Sequence, residues 1–255
     1  MTVTFLGTGT SSGVPIIGCT CPVCRSLDPR DQRLRTAVHI AAEGRSVVVD
    51  AGPDFRQQML RARIDTLDAL LFTHEHKDHT AGLDDVRAYN FRQRQALPVF
   101  AEPRVLAQLQ REFAYVFAAH KYPGVPQLTL HPIERDDAPI EVLGLPVQPL
   151  RALHHKLPVL GFRVGGFAYL TDANHIGPDT LDQLRGADTV VLNALRREPH
   201  ISHFTLAEAV AVLEEVKPRR AFLTHISHQL GCHQEVEAEL PPWIRLGYDG
   251  LQITV

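Results

Sequence analysis

Apolar and polar positions along the chain follow two periods. Near the N-terminus "VTFLG" (3–7) is a short strand pattern, and "AVHIAAEGRSVVVD" (37–50) holds two alternating runs separated by Glu43-Gly44, which predicts a β-hairpin. "FRQQMLRARI" (55–64) switches to helical spacing, and the apolar strand "ALLFT" (69–73) runs straight into the polar cluster "HEHKDH". "RVLAQLQREFAYVF" (104–117) predicts one helix, after which "QLTLHPI" (127–133), "IEVLGLPVQPL" (140–150) and "GFRVGGFAYLTD" (161–172) return to strand. The last third alternates: helix at 180–187, strand at 189–195, helix at 205–216, strand at 220–226, then a terminal strand "GLQITV". Thr205 followed by Glu208 is a capping box, so the helix begins there. Strands with interleaved helices and polar clusters at several strand ends predict a layered α/β or α+β domain. With no fixed-period repeat, low-complexity tract or linker, residues 1–255 read as a single domain.

Composition changes this picture little. With 255 residues, 44% of them hydrophobic, the chain can bury a large core. A formal net charge of -3 gives no reason to expect nucleic acid or an anionic membrane as the main partner. The Arg-rich stretch "RSLDPRDQRLR" (25–35) reads as a solvated loop. No apolar run approaches the ~20 residues of a membrane span, and "MTVTFLGTGT" lacks a charged segment followed by an apolar one, so a cytoplasmic protein is expected.

Candidate chemistry is concentrated in two places. "THEHKDH" puts His74, His76, Asp78 and His79 within six residues, beyond a strand. Such groups are costly to bury unless a cation holds them, and they exceed what one catalytic ion with an open position requires, so the density predicts two divalent ions. "GCTCPVC" supplies Cys19, Cys21 and Cys24 in one loop (18–25), three thiolates of a tetrahedral zinc site whose fourth ligand lies elsewhere. The chain's only other cysteine, Cys232, is a candidate for it.

The motif His-x-His-x-Asp-His after an apolar strand resembles the signature of the metallo-β-lactamase fold superfamily. The resemblance implies a four-layer αββα sandwich and a binuclear centre: one ion on His74, His76 and His154, the other on Asp78, His79 and His225, with Asp172 bridging. His154 is preferred to its neighbour His155 because it aligns with the family position. The intact His pair, where redox members carry Glu in place of His76, favours hydrolysis. Asp50 in "VVVDAG" is expected to orient a metal-binding histidine.

"FLGTGTSSGVPIIGCTCPVC" together with "THISHQ" is similar to the phosphoribosyl cyclic phosphodiesterases of the carbon-phosphorus lyase pathway. That branch implies a structural zinc on Cys19, Cys21, Cys24 and His228, leaving Cys232 spare, and a catalytic zinc or manganese pair whose bridging hydroxide attacks a small, cyclic ribose phosphodiester. "REPHISHFTLAEA" offers His200 and His203 before the capped helix. His203 best matches the family's general acid and, with Asp78, is taken as catalytic. Lys156 is read either as a phosphate contact or as a solvated lysine. A homodimer is expected from the resemblance alone. The same cysteine loop occurs in a pyrroloquinoline quinone synthesis branch, which makes a non-catalytic metal- or cofactor-handling protein one alternative. A transfer-RNA 3'-end endonuclease is another, weakened by the lack of a basic, glycine-rich arm, and thioester or β-lactam hydrolysis is open to the same fold. His39 lies in an alternating strand, His120 and His131 flank a Pro-rich loop, and His175 and His233 lack ligand spacing, so none is taken as a site residue. The segment from "FRQRQALPVF" to "KYPGVPQLTL" carries no transferable motif and is expected to shape the substrate pocket.

Overall fold

In the computed structural model, which describes residues 1–255, the first part of the chain forms β1 (Thr2–Gly7), β2 (Ala37–Ala42), β3 (Arg45–Val49), α1 (Phe55–Ala62), β4 (Ala69–Leu71), α2 (Lys77–Thr80), α3 (Arg87–Gln93), β5 (Leu97–Ala101), α4 (Pro103–Glu112), α5 (Ala114–Phe117) and β6 (Leu128–Pro132). The remainder forms β7 (Ile140–Val142), β8 (Leu145–His154), β9 (Leu157–Val164), β10 (Phe167–Tyr169), β11 (His175–Ile176), α6 (Pro178–Leu184), β12 (Thr189–Asn193), α7 (Leu206–Val216), β13 (Arg220–Thr224), α8 (His233–Glu239), β14 (Ile244–Leu246) and β15 (Gln252–Thr254). The expected hairpin joins β2 to β3. Glu43 and Gly44 have φ of 50° and 75°, as a two-residue turn with both central residues left-handed requires.

One sheet has the order β15-β1-β2-β3-β4-β5-β6 and the other β11-β8-β9-β10-β12-β13-β14, with β7 paired to β8. Each sheet is antiparallel on one side and parallel on the other. The parallel ladders are β3-β4-β5-β6 and β10-β12-β13-β14. Three cores give the layers. Phe5, Val49 and Leu71 of the first sheet pack with Phe162, Phe167 and Tyr169 of the second. The outer face of the first sheet buries Leu70 and Val99 against Phe55, Met59, Val105 and Leu109 from the helices, and the outer face of the second buries Val190 and Leu223 against Ala209, Leu213 and Val236. Burial of a large side chain of this kind contributes about 1.5–3 kcal/mol. This is the αββα sandwich.

Two local expectations fail. The helix expected over 104–117 breaks at Phe113 (φ −108°, ψ 41°), where α4 gives way to the single turn of α5. The sequence "FAYVF" explains the break, since aromatic and β-branched side chains lose rotamer freedom in a helix. Nor is the Arg-rich stretch uniformly solvated. Arg33 is buried, and its guanidinium donates to Thr8 Oγ1, the Gly247 carbonyl and His233 Nδ1. Burial pushes its pKa down to about 10. The bland histidine readings fit the contacts at two positions, with His39 at 2.8 Å from Ser46 Oγ and His233 held by Arg33.

Candidate metal centre

The strand ends that face one rim of the sandwich carry the chemistry. β3 delivers Asp50, β4 leads into Thr73 and His74, β8 ends at His154, and Asp172 and His225 follow β10 and β13. Asp50, Asp172 and His225 adopt left-handed backbone, with φ of 67°, 57° and 54°. Asp and His tolerate this region only at a cost, so three instances around one cluster mark strain concentrated at the site. The turn after Asp50 is packed tightly against the α2 segment. A Cβ at Gly52 would lie 2.0 Å from the Asp78 carbonyl oxygen, so no larger residue fits without moving the His74–His79 loop.

Two donor groups share Asp172: His74, His76, His154 and Asp172, and Asp78, His79, Asp172 and His225, each with its donor atoms within 4.8 Å of one another. Asp172 Oδ1 lies 3.4 Å from His79 Nε2 and 3.0 Å from His225 Nδ1, while Oδ2 lies 3.8 Å from His74 Nε2. Asp78 Oδ2 is 3.3 Å from His79 Nε2.

Hydrogen bonds fix which imidazole nitrogen faces the cluster. Thr73 Oγ1 donates to Asp50 Oδ2, so its contact with His74 Nδ1 at 2.9 Å has the ring donating and leaves Nε2 free. Asp50 Oδ2 accepts from His79 Nδ1 at 2.7 Å, again freeing Nε2. The Ser202 carbonyl accepts from His154 Nδ1 at 2.8 Å with the same result. His74 Nε2, His79 Nε2 and His225 Nδ1 are buried without a hydrogen-bond partner. Orphaned lone pairs are expensive in a protein interior, and convergent imidazole and carboxylate donors are the chemistry of a divalent-metal centre. The residues present fit such an ion.

The carboxylates make the cluster favour positive charge, which a proton on His79 supplies and a bound cation would supply in its place. Burial, reinforced by the charge on His79, holds the His74 pKa well below the ordinary histidine value. Burial works against a charged His79, but Asp172, Asp78 and Asp50 outweigh it and raise its pKa well above that value. For Asp172 burial is likewise outweighed, by His225 and His79, and its carboxyl stays ionised well below the usual range.

His203 is buried beside this group, with Nε2 3.3 Å from Asp172 Oδ2. Burial depresses its pKa to about 4, with the Asp172 hydrogen bond pulling the other way. His155 is exposed in the turn after β8 and Lys156 beside it is exposed as well, so His154 is the member of the pair that enters the cluster.

At the second place, Cys19, Cys21, Cys24 and His228 converge. His228 Nδ1 lies 3.3, 3.4 and 3.5 Å from the three sulfurs. A tetrahedral zinc with Zn–S of about 2.3 Å and Zn–N of about 2.0–2.1 Å puts nitrogen and sulfur roughly 3.6 Å apart, so the spacing fits. The Cys24 backbone N–H holds the Cys21 thiol down at about 6, favouring the thiolate, while burial pushes Cys24 up to about 11. Cys232 packs beside the cluster but stands outside the donor group, as the residue before α8.

The residue list read from the sequence leaves out Thr10, Thr73 and Asn193. Thr10 Oγ1 touches His225 Nε2 at 3.3 Å. The Asn193 side chain clamps both backbone groups of Ala173, next to Asp172. A threonine or asparagine at a strand end is too common to stand out; only the position of Thr73, directly before the histidine motif, was a usable signal.

Comparison with known proteins agrees with the architecture. The profile of the "Beta-lactamase superfamily domain" matches residues 45–226. The crystal structure of a diphosphatase from the PhnP family superposes with a TM-score of 0.92 at 40% identity, covering 100% of this chain and 97% of that one. An octanoyltransferase of Porphyromonas gingivalis is 43% identical over 253 residues, which are 98% of this chain and 51% of that protein, so the chain spans about half the length of this relative. A coenzyme PQQ synthesis protein B of Rhodopseudomonas palustris is 28% identical over 235 residues, 86% of this chain and 70% of that one. No helix is long and apolar enough to cross a membrane. The chain belongs to the β-lactamase superfamily and has the metallo-β-lactamase fold of its hydrolases.

Proposed function

We propose that the protein is a binuclear metal-dependent phosphodiesterase acting on a small, cyclic ribose phosphodiester, with His74, His76 and His154 holding one ion, Asp78, His79 and His225 the other, and Asp172 bridging. Cys19, Cys21, Cys24 and His228 hold a structural zinc. Zinc or manganese at the paired positions would lower the pKa of a shared water towards ~7 and neutralise phosphoryl charge. The chain's own residues supply the rest. Asp50 and Thr73 orient His74 and His79 through their Nδ1 atoms, and Asp78 completes the second donor group.

The observation that carries the ester reading is His203. Its Nε2 lies within 3.3 Å of the carboxylate shared by both donor groups. A departing alkoxide needs a proton, and a histidine at that position can deliver it. A diphosphate linkage is the second reading, favoured by the 40% identical diphosphatase of the PhnP family; a phosphate leaving group depends less on an acid.

The test is phosphorus NMR of metal-loaded protein given a five-membered ribose cyclic phosphate or a dinucleoside diphosphate and, in a separate thiol-release assay, an octanoyl thioester. Turnover of the cyclic ester, lost in Asp78→Ala and reduced about 100-fold in His203→Ala, is the expected result. Turnover of the diphosphate alone selects the second reading. Thioester hydrolysis without either phosphorus reaction overturns both.

A further inference from the structure

His200 lies outside both donor groups, yet its contacts are specific. The backbone N–H of Ser202 donates to His200 Nδ1 at 3.3 Å. An N–H can only donate, so His200 Nδ1 is an acceptor and its ring proton sits on Nε2. The same Nδ1 lies 3.1 Å from His203 Nδ1, and two bare ring nitrogens do not approach so closely without a shared proton. That proton therefore belongs to His203. Ser202 Oγ lies 3.1 Å from His203 Nδ1 and 3.3 Å from His200 Nδ1, closing the triangle. On its other side, His203 presents Nε2 to the metal-type cluster.

We propose that His200 is the positioning residue for His203: by accepting the Nδ1–H bond it fixes the ring's orientation, so that the imidazolium form gives its Nε2 proton to the leaving oxygen and is left as the neutral ring protonated at Nδ1. The arrangement has the logic of an acceptor behind a catalytic imidazole, with a half-buried neutral histidine in place of a buried carboxylate. It rests on the reading of His203 as the acid. His200 touches neither the donor groups nor the substrate in this scheme. Its influence passes through a single nitrogen.

Two readouts test it. In zinc-loaded, 15N-histidine-labelled protein, imidazole nitrogen–proton correlation should show His203 protonated at Nδ1, assigned by the signals that vanish in His203→Ala. This pattern should be lost in His200→Ala and restored in part by His200→Asn, whose amide oxygen can accept. Kinetically, His200→Ala should slow hydrolysis of a ribose cyclic phosphate about 10- to 100-fold. It should slow bis(4-nitrophenyl) phosphate, whose leaving group departs without a proton, by less than about 3-fold, with metal content unchanged.

If His203→Ala shows this leaving-group dependence and His200→Ala does not, the positioning role is wrong while the acid stands. If His203→Ala lowers both substrates equally, the acid assignment itself fails. An unchanged His203 spectrum in His200→Ala overturns the inference even where neither ester is turned over.

Discussion

The cysteine cluster and the histidine-aspartate cluster solve the same problem, gathering donors for a cation, in opposite ways. The first takes three of its four donors from a six-residue stretch and is half-exposed, closed by His228. The second draws on residues 74 to 225, from the ends of strands in both sheets, and is largely buried. A short loop gathers sulfurs cheaply but would need an ion to hold its shape, so in the proposed scheme this cluster serves stability. Donors spread over strand ends are placed by the sandwich itself, which leaves orphaned nitrogens and left-handed backbone where chemistry is to happen. One segment joins the two. His225 enters the buried cluster and His228 the cysteine cluster, while Ile226 is pinned between them by bonds to Thr8 and Thr10.

The sharpest way to break this contrast is to remove the shared carboxylate. Asp172→Ala should lower turnover by about 1000-fold or more while shifting Tm by only a few degrees, measured by steady-state kinetics and calorimetry. Cys24→Ser should do the reverse, with a loss of about 4 kcal/mol, near 10 °C in Tm, and activity retained below the new transition. Equal stability losses in both variants would erase the distinction. Asp50→Asn tests whether the orienting bonds matter. With Thr73 and His79 less firmly held, metal affinity should fall about 10- to 100-fold in competition with a chelator.

Two smaller effects lie outside both clusters and act as controls. His39 is pushed down to about 4 by burial, from an ordinary 6.5. The unfolded chain therefore binds the extra proton first as the pH falls. The contribution of neutral His39 is fully present above about pH 6.5 and is lost as the pH drops towards 4, a loss of about 2 kcal/mol after allowing for partial solvent access. His39→Gln should flatten that limb in denaturant titrations across the window. Thr205→Ala removes a capping box in which Thr205 and Glu208 exchange bonds. It should cost about 1 kcal/mol, read as a drop of about 2–4 °C in Tm with kcat unchanged.

What could be read from the sequence follows from range. The His74–His79 motif and the cysteine loop are local, so spacing alone exposes them. Asp172 and His225 are expected through the family resemblance, which their places at the ends of apolar strands match, and the turn at Glu43-Gly44 and the cap at Thr205 announce themselves by residue type. Contacts made only by folding are silent in the sequence. Nothing local marks Asn193 as the clamp beside Asp172, or Arg33 as a buried cation rather than a solvated one. Whole elements were lost where the pattern is weak. β5 is short and contains Pro98, and α8 buries little beyond His233 and Val236 on an otherwise polar helix.

Metal stoichiometry by native mass spectrometry bears most directly on the central claim, that this chain holds a catalytic pair and a separate structural ion. The wild-type chain should carry three ions, Cys21→Ser two and Asp172→Ala one. A single ion in the wild type, or the same ions lost in both variants, would contradict it.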